Sequence, residues 1–211
     1  LRDFKELNDW ETVIFVYQSA LKQVETKIDI LNGEFQHRHK YNPIEHVKSR
    51  IKTPESIEKK LKRHGYESSI ENMVRYVNDI AGIRISCSFT SDIYLIADMI
   101  SKQNDLTILA RRDYMKNPKK SGYRSYHMLV TTPVFLSDSI IDTKVEIQIR
   151  TVAQDFWATL EHKMHYKFEG DGPDYITKEL RECARYVAEL DTRMEELNNE
   201  IQKYGKLSDK K

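Results

Sequence analysis

Two carboxylates and two basic segments hold the side chains of this sequence that are best equipped for chemistry. Asp79 lies in "NDIAG" and Glu146 in "VEIQIR". Between Arg50 and Arg63 six Lys or Arg stand against two Glu, and between Arg111 and Arg124 another six stand against Asp113 alone. Within the second segment, "KNPKKSGYRSYH" (116–127) gathers Lys116, Lys119, Lys120, Arg124 and His127 around Gly122 and two tyrosines, with no acid. Arg offers a planar fork to phosphate oxygens and Lys a movable point charge. Lys60 and Arg63 are three apart and Lys59 and Arg63 four apart, so on a helix they share a face. With Arg50 and Lys52 just ahead, that face can clamp several phosphate oxygens. Asp79 and Glu146 are hard oxygen ligands of the kind Mg2+ uses, one or two carboxylates completed by substrate phosphates. Cations for phosphates and carboxylates for a metal are the equipment of phosphoryl transfer, in which positioning and charge neutralisation dominate. A charge run by itself is ordinarily a solvated face; the combination points instead to a compact anionic ligand.

Other constellations are weaker. Gly65, Gly82 and Gly122 stand alone, so neither a P-loop nor a dinucleotide fingerprint is present. His37-x-His39 and His162-x-x-His165 lack a third placed ligand and read as surface histidines. Ser125 and His127 have no marked acid partner and no nucleophile elbow. A non-catalytic nucleotide- or RNA-binding module on the same scaffold is the alternative to an enzyme. The two carboxylates discriminate, because holding phosphates gains nothing from them and metal-dependent transfer needs them.

Periodicity supplies the elements that must position these groups. Leu7, Trp10, Ile14, Tyr17, Leu21, Val24, Ile28 and Leu31 recur at spacings of three and four, one apolar stripe on a helix within residues 1–40. Ile176, Leu180, Cys183, Val187, Leu190, Met194, Leu197, Ile201 and Tyr204 form a near-unbroken heptad seam on a second long helix, 174–205. Such a seam buries against another helix of the same chain or joins subunits, and the spacing fits both. Between them, Thr53 as N-cap, Pro54 at the first position and Gly65 as a stop predict a short basic helix over 54–64. "ENMVRYVN" predicts another. Strand-like runs at 82–89, 106–114, 125–136 and 144–150 follow, with helices at 92–103 and 151–167. The last three strands have no helix between them and so pair antiparallel in a mixed sheet. "EGDGPD", 169–174, reads as a turn. In "GIRISCSF", Arg84, Ser86 and Ser88 lie opposite the apolar face, as do Glu146, Gln148 and Arg150 in "VEIQIR".

The chain has 211 residues and a net charge of +1, a size that suits one domain with a substantial core and a balance that calls for no polyanion such as DNA. Its two cysteines, Cys87 and Cys183, make no disulfide framework and fit a reducing, cytoplasmic setting; both read as small core residues. No apolar run approaches the ~20 residues a membrane span needs. No secretory signal is legible, and the first residue is Leu1 rather than Met.

"SRIKTPESIEKKLKR", "NDIAGIRISCSF", "SGYRSYHMLV" and "EIQIRTVAQDFWATLEHKMHYK" together resemble, in order and approximate spacing, the (p)ppGpp synthetase domain of RelA/SpoT-type proteins. The likeness is strong over residues 40–168 and weaker in the terminal helices. Its length is that of the small, synthetase-only members, and "NPIEHVKSRIK" is especially similar to their RelP (YwaC) branch. The resemblance implies an α/β (α+β) nucleotidyltransferase-like fold, a mixed, partly antiparallel sheet of about five strands flanked by helices. It further implies one synthetase domain over 1–211, with an N-terminal helix (1–40), a catalytic core (41–168) and a C-terminal helix (174–205). The implied reaction moves pyrophosphate from ATP to the ribose 3′-hydroxyl of GDP or GTP with Mg2+, leaving AMP. By position, Arg50 and Arg84 would sandwich adenine, and Lys52, Lys60 and Arg63 would hold the ATP phosphates. Asp79 and Glu146 would hold Mg2+, and Glu146 would also take the proton of the attacking hydroxyl. Tyr123 would stack on guanine, while Arg112, Lys119 and His127 would meet the acceptor's phosphates. Gln148 and Glu161 match motif positions in a supporting role. No "HD" dipeptide occurs, so hydrolysis of the product is not implied. Asp155 stands where the sister RelQ branch usually has Asn, which argues against that branch's product-activated control. A homotetramer is implied, with the terminal seams as an interface.

Overall fold

The computed structural model describes residues 9–167 and 174–208, arranged as five strands and six helices. Helix α1 (Trp10–His39) begins where the Asp9 side chain accepts from the backbone N–H of Glu11 and Thr12. Tyr17, Leu21, Val24 and Ile28 of the expected stripe are buried, joined by Val13, Val16 and Ala20, while Trp10, Ile14 and Leu31 are partly buried against the same core. Leu7 of that stripe and the 169–174 turn, apart from Asp174, lie outside the described residues. Helix α2 (Pro54–Arg63) starts as its residues dictate, with the Thr53 hydroxyl accepting from the Ser56 N–H and Pro54 in the first turn. Helices α3 (Ile70–Tyr76) and α4 (Thr90–Ser101) complete the first half.

Strands β1 (Ile44–Ile51), β2 (Ala81–Cys87), β3 (Thr107–Asp113), β4 (Tyr126–Phe135) and β5 (Ile140–Thr151) form one sheet in the order β1-β2-β5-β4-β3. β2 and β5 run parallel at its centre, and the other pairs are antiparallel. The antiparallel run β3, β4, β5 is the one expected from the missing helices. β1 was not expected as a strand. Its sequence, "IEHVKSRI", has Glu, His, Lys, Ser and Arg at five of eight positions, and it is an edge strand, mostly exposed, with an irregularity between Ile44 and His46. An edge strand needs no apolar face of its own, so alternation is a poor guide to it.

One face of the sheet is dry. Ile83, Ile85, Cys87, Met128, Val130, Val145, Ile147 and Ile149 pack into a single core with the buried stripe of α1 and with Ile93, Ile96 and Ile100 of α4. Period-two alternation then puts the polar residues of β2, β4 and β5 on the opposite face. That face carries the site.

Helices α5 (Val152–Lys167) and α6 (Asp174–Ser208) pack together beside the sheet. Four residues of α6 pin it to the rest of the chain. The Trp157 indole donates to the Leu180 carbonyl (2.9 Å), and Ala184 is buried against Trp157. Asp191 accepts from the Thr151 hydroxyl and the Gln154 amide, each at 2.8 Å. Glu195 accepts from the Ser91 N–H. The C-terminal part of the heptad seam is not buried within the chain, since Leu190, Met194, Leu197, Ile201 and Tyr204 are 52, 48, 52, 69 and 73% exposed, whereas Leu180 and Val187 pack against the cluster of Trp157 and Ala184. Cys183 on this helix is also exposed, contrary to its reading as a core residue, whereas Cys87 is buried.

Candidate active site

The strand register builds the site. Lys48, Arg84, Gln148, His127 and Arg112 are successive partners across all five strands, a polar row running from one sheet edge to the other. In the next row, Arg50 is paired with Gly82 and Gly82 with Glu146. Gly82 therefore leaves a gap between a cation and a carboxylate. A methyl group there would meet nothing within 4 Å. The gap is the floor of a cleft of about 210 Å³ lined by Lys48, Ser49, Arg50, Asp79, Gly82, Ile83, Arg84, Glu146 and Gln148. Both carboxylates singled out from the sequence are in it, as are Arg50 and Arg84.

Asp79 sits at one end, just before β2. Its Oδ1 takes the Lys60 ammonium at 2.7 Å and its Oδ2 that of Lys52 at 2.9 Å. Burial works to raise its pKa, but the two lysine hydrogen bonds outweigh it and hold the carboxyl below its usual range. Helix α2 thus delivers Lys60, and the end of β1 Lys52, to the Asp79 carboxylate; neither lysine lines the cleft itself. Arg63, one turn further along α2, is exposed and does not line the cleft. Lys144, on the Glu146 face of β5, donates to the carbonyls of Val74 and Arg75 and to the Asn78 side chain, fixing the segment that ends in Asp79.

At the other end lies the loop between β3 and β4. It turns tightly: Gly122 N–H donates to the Lys119 carbonyl (2.8 Å) and Lys119 N–H to that of Tyr123 (3.1 Å). Gly122 has φ +92°, a conformation side chains resist, and a methyl group on it would come within 2.6 Å of the Ala184 Cβ on α6. Arg124, left without a role by the sequence, donates to the Met115 carbonyl and closes the base of the loop. The Tyr123 hydroxyl is 2.9 Å from His127 Nε2, and Lys119 Nζ lies 4.7 Å from the Tyr123 ring centroid and 4.9 Å from that of Tyr114. Burial, with Lys119, Arg150 and Arg112 nearby, pushes the His127 pKa down to about 3. The imidazole is therefore neutral at ordinary pH. Arg112 pairs with His127 in register from the exposed β3 strand.

Glu146 stands between the two ends. Gln148 Nε2 donates to its Oε2 at 2.8 Å, and His127 Nδ1 is 3.9 Å from its Oε1. Gln148 itself lines the cleft beside Glu146. Glu161 lies on α5, half-buried, outside the residues that line the cleft.

Three contributors were not picked out as site residues from the sequence. Arg150 donates to Gln148, Tyr123 and Asp155. Asp155 receives both Arg84 and Arg150. Tyr114 packs edge-on to Tyr123 and His127. The β5 alternation already put Arg150 on the Glu146 face, and that was its only signal.

Among the described residues no group of three or more His, Cys, Asp or Glu forms a protein-only metal cage. Two carboxylates in one cationic cleft fit a hard divalent ion that completes its shell from phosphates.

The fold and the cleft together define a RelA/SpoT domain, and the chain belongs to that family: the region found in RelA / SpoT proteins matches residues 49–171. It is 44% identical over 195 residues to GTP pyrophosphokinase YwaC of Bacillus subtilis (strain 168), covering 92% of this chain and 93% of that protein. It is 35% identical over 193 residues to GTP pyrophosphokinase YjbM of the same organism, covering 92% and 90%. Among solved structures, small alarmone synthetase 2 from Bacillus subtilis superposes with a TM-score of 0.83 at 42% identity, covering 90% of this chain and 99% of that one. Small alarmone synthetase 1 from Bacillus subtilis, bound to its product pppGpp, gives 0.85 at 34% identity, covering 92% and 98%.

Proposed function

We propose that the chain is a small alarmone synthetase that transfers the pyrophosphoryl group of ATP to the 3′-hydroxyl of GDP or GTP, making (p)ppGpp and AMP. The placement of Glu146 carries this reading. It is one carboxylate between a cation-rich pocket (Arg50 and Arg84, with Lys52 and Lys60 on Asp79) and an end formed by Lys119 and Tyr123 of the β3–β4 loop and His127 of β4. A donor on one side and an acceptor on the other meet at that group.

On the donor side Arg50 and Arg84 stack on the two faces of adenine, as guanidinium planes do on aromatic rings. Lys52 and Lys60 move from Asp79 onto the ATP phosphates, with Arg63 reaching the outermost oxygens. On the acceptor side the Tyr123 ring supports guanine, and Lys119 and Arg112 meet the 5′-phosphates. His127, neutral, holds the Tyr123 hydroxyl in place and faces the phosphates as a hydrogen-bonding group, not as a cation.

The acceptor 3′-oxygen attacks the β-phosphorus of ATP, the bond from that phosphorus to the α–β bridging oxygen breaks, and AMP leaves with the bridging oxygen. The proton of the hydroxyl passes to the Glu146 carboxylate, which the Gln148 amide keeps oriented. Asp79 and Glu146 would hold Mg2+, which supplies neutralisation of the charge developing on the phosphates. Glu161 supports the site from α5.

The enzyme acts in the cytoplasm as a homotetramer with the exposed α6 seam at its interface. No described helix is long and apolar enough to cross a membrane.

Glu146→Gln tests the central assignment. Turnover is expected to fall by about three orders of magnitude, within the range a positioned general base contributes, while ATP affinity measured by calorimetry stays within about threefold of wild type. An equal loss of ATP binding would make Glu146 a structural residue and overturn its role as base.

A further inference from the structure

We propose that Arg150 is a positioning residue that couples occupancy of the ATP side of the cleft to the geometry of the acceptor side. The proposal rests on the transfer reaction above.

The guanidinium of Arg150 is only 2% exposed. Its Nη2 donates to Gln148 Oε1 at 2.6 Å and to the Tyr123 hydroxyl at 3.0 Å, and its Nη1 donates to Asp155 Oδ1 at 3.4 Å. The guanidinium carbon lies 5.3 Å from the Tyr123 ring centroid. One buried fork therefore holds the acceptor-side ring directly and the Glu146 carboxylate through Gln148. A lysine could not do this, because it presents a single point charge and no fixed pair of donors.

The connection to the ATP side runs through Asp155. Its Oδ1 receives Arg84 Nη1 at 3.3 Å as well as Arg150, and Lys48 Nζ approaches Oδ2 at 4.0 Å. Two guanidinium ions share one oxygen, and the Nε of each is buried without a partner. For Arg150, the buried one of the two, a charge that is only half compensated is costly to keep.

When Arg84 leaves to stack on adenine, Asp155 is released to Arg150 alone. The stronger pairing fixes the guanidinium, and with it the Tyr123 hydroxyl and the Gln148 to Glu146 hydrogen bond. ATP thereby orders the acceptor side before the acceptor arrives. Coupling of this kind is reciprocal, so guanine nucleotide tightens ATP by the same factor.

The test measures GDP affinity by calorimetry with and without the non-reacting analogue AMPCPP, in wild type, Arg150→Lys, Arg150→Met and Asp155→Asn, beside steady-state kinetics and thermal melting. In wild type AMPCPP is expected to tighten GDP at least fivefold. Arg150→Lys keeps the charge and loses the fork. It is expected to lose the coupling, to lower kcat at least a hundredfold and to raise KM for GDP, with AMPCPP affinity within threefold. Asp155→Asn leaves the fork in place and removes the shared charge, and it is expected to lose the coupling too. If Arg150→Met does not fold, the lysine and Asp155→Asn variants carry the test. A wild type with no coupling, or an Arg150→Lys variant with coupling and kcat within threefold of wild type, overturns the proposal. The two readings fail differently: a wild type that releases no AMP sinks the transfer reaction, whereas normal turnover beside an unaffected lysine variant sinks the role of Arg150 alone.

Discussion

His127 shows how much a single side chain reveals only in its surroundings. In the sequence it is one more cation in a basic loop, grouped with Lys119 as a phosphate contact. In the structure burial and three neighbouring cations keep it neutral, with a pKa near 3 against an ordinary 6.5. The sign of the resulting pH dependence follows. Below pH 6.5 the unfolded chain takes up a proton that the folded chain refuses, so stability is full above 6.5 and falls steadily as pH drops toward 3. Asp79 acts in the same direction but only near and below the ordinary carboxylate range. Denaturant unfolding between pH 7 and 5 isolates the histidine: His127→Gln is expected to flatten the slope of stability against pH in that window, and an unchanged slope would mean His127 titrates normally in the fold. The roles of Arg150 and Asp155 were similarly hidden. Residue type and alternation put Arg150 on the catalytic face, but a shared carboxylate oxygen is a property of packing.

At the scale of elements, what was legible had local physics behind it. Thr53 and Pro54 start α2 because capping and a fixed φ need no tertiary partner, and the α1 stripe was readable because most of its apolar face packs into the core. β1 was not, since an exposed edge strand carries no such face. The loop from 116 to 127 was legible as a basic turn, but not its support. Gly122 is glycine both for its positive φ and because α6 passes within reach of any side chain there. Gly122→Ala is therefore expected to raise KM for GDP about tenfold, from roughly 1–2 kcal/mol of backbone strain and displacement of the loop, with KM for ATP little changed. Ala184→Gly added to it makes room for the methyl and should restore part of the loss, leaving the part owed to φ. Equal effects on both substrates, or no rescue, would show that the loop does not lean on α6 in this way.

For the whole molecule, α6 is both a brace for the acceptor loop and an open surface. Its inner side is fixed through Trp157, Gly122, Thr151, Gln154 and Ser91, while Leu190, Leu197 and Ile201 project outward. The heptad spacing announced an apolar seam without saying what covers it, because one chain's periodicity is blind to a second chain. If copies of this chain meet there, sedimentation will give a species near four times the 25.0 kDa chain, and Leu197→Glu with Ile201→Glu will reduce it to smaller species without lowering the melting transition of the sheet. A wild type that sediments as a monomer contradicts that assembly.

The family, the cationic cleft and the two carboxylates all converge on one reaction, and following one label tests it most directly. Incubated with ATP labelled in its β-phosphate, Mg2+ and GDP or GTP, the protein is expected to release unlabelled AMP and to leave the label on a guanosine nucleotide with a 3′-pyrophosphate. Release of labelled ADP, or retention of all label in ATP, would contradict pyrophosphoryl transfer.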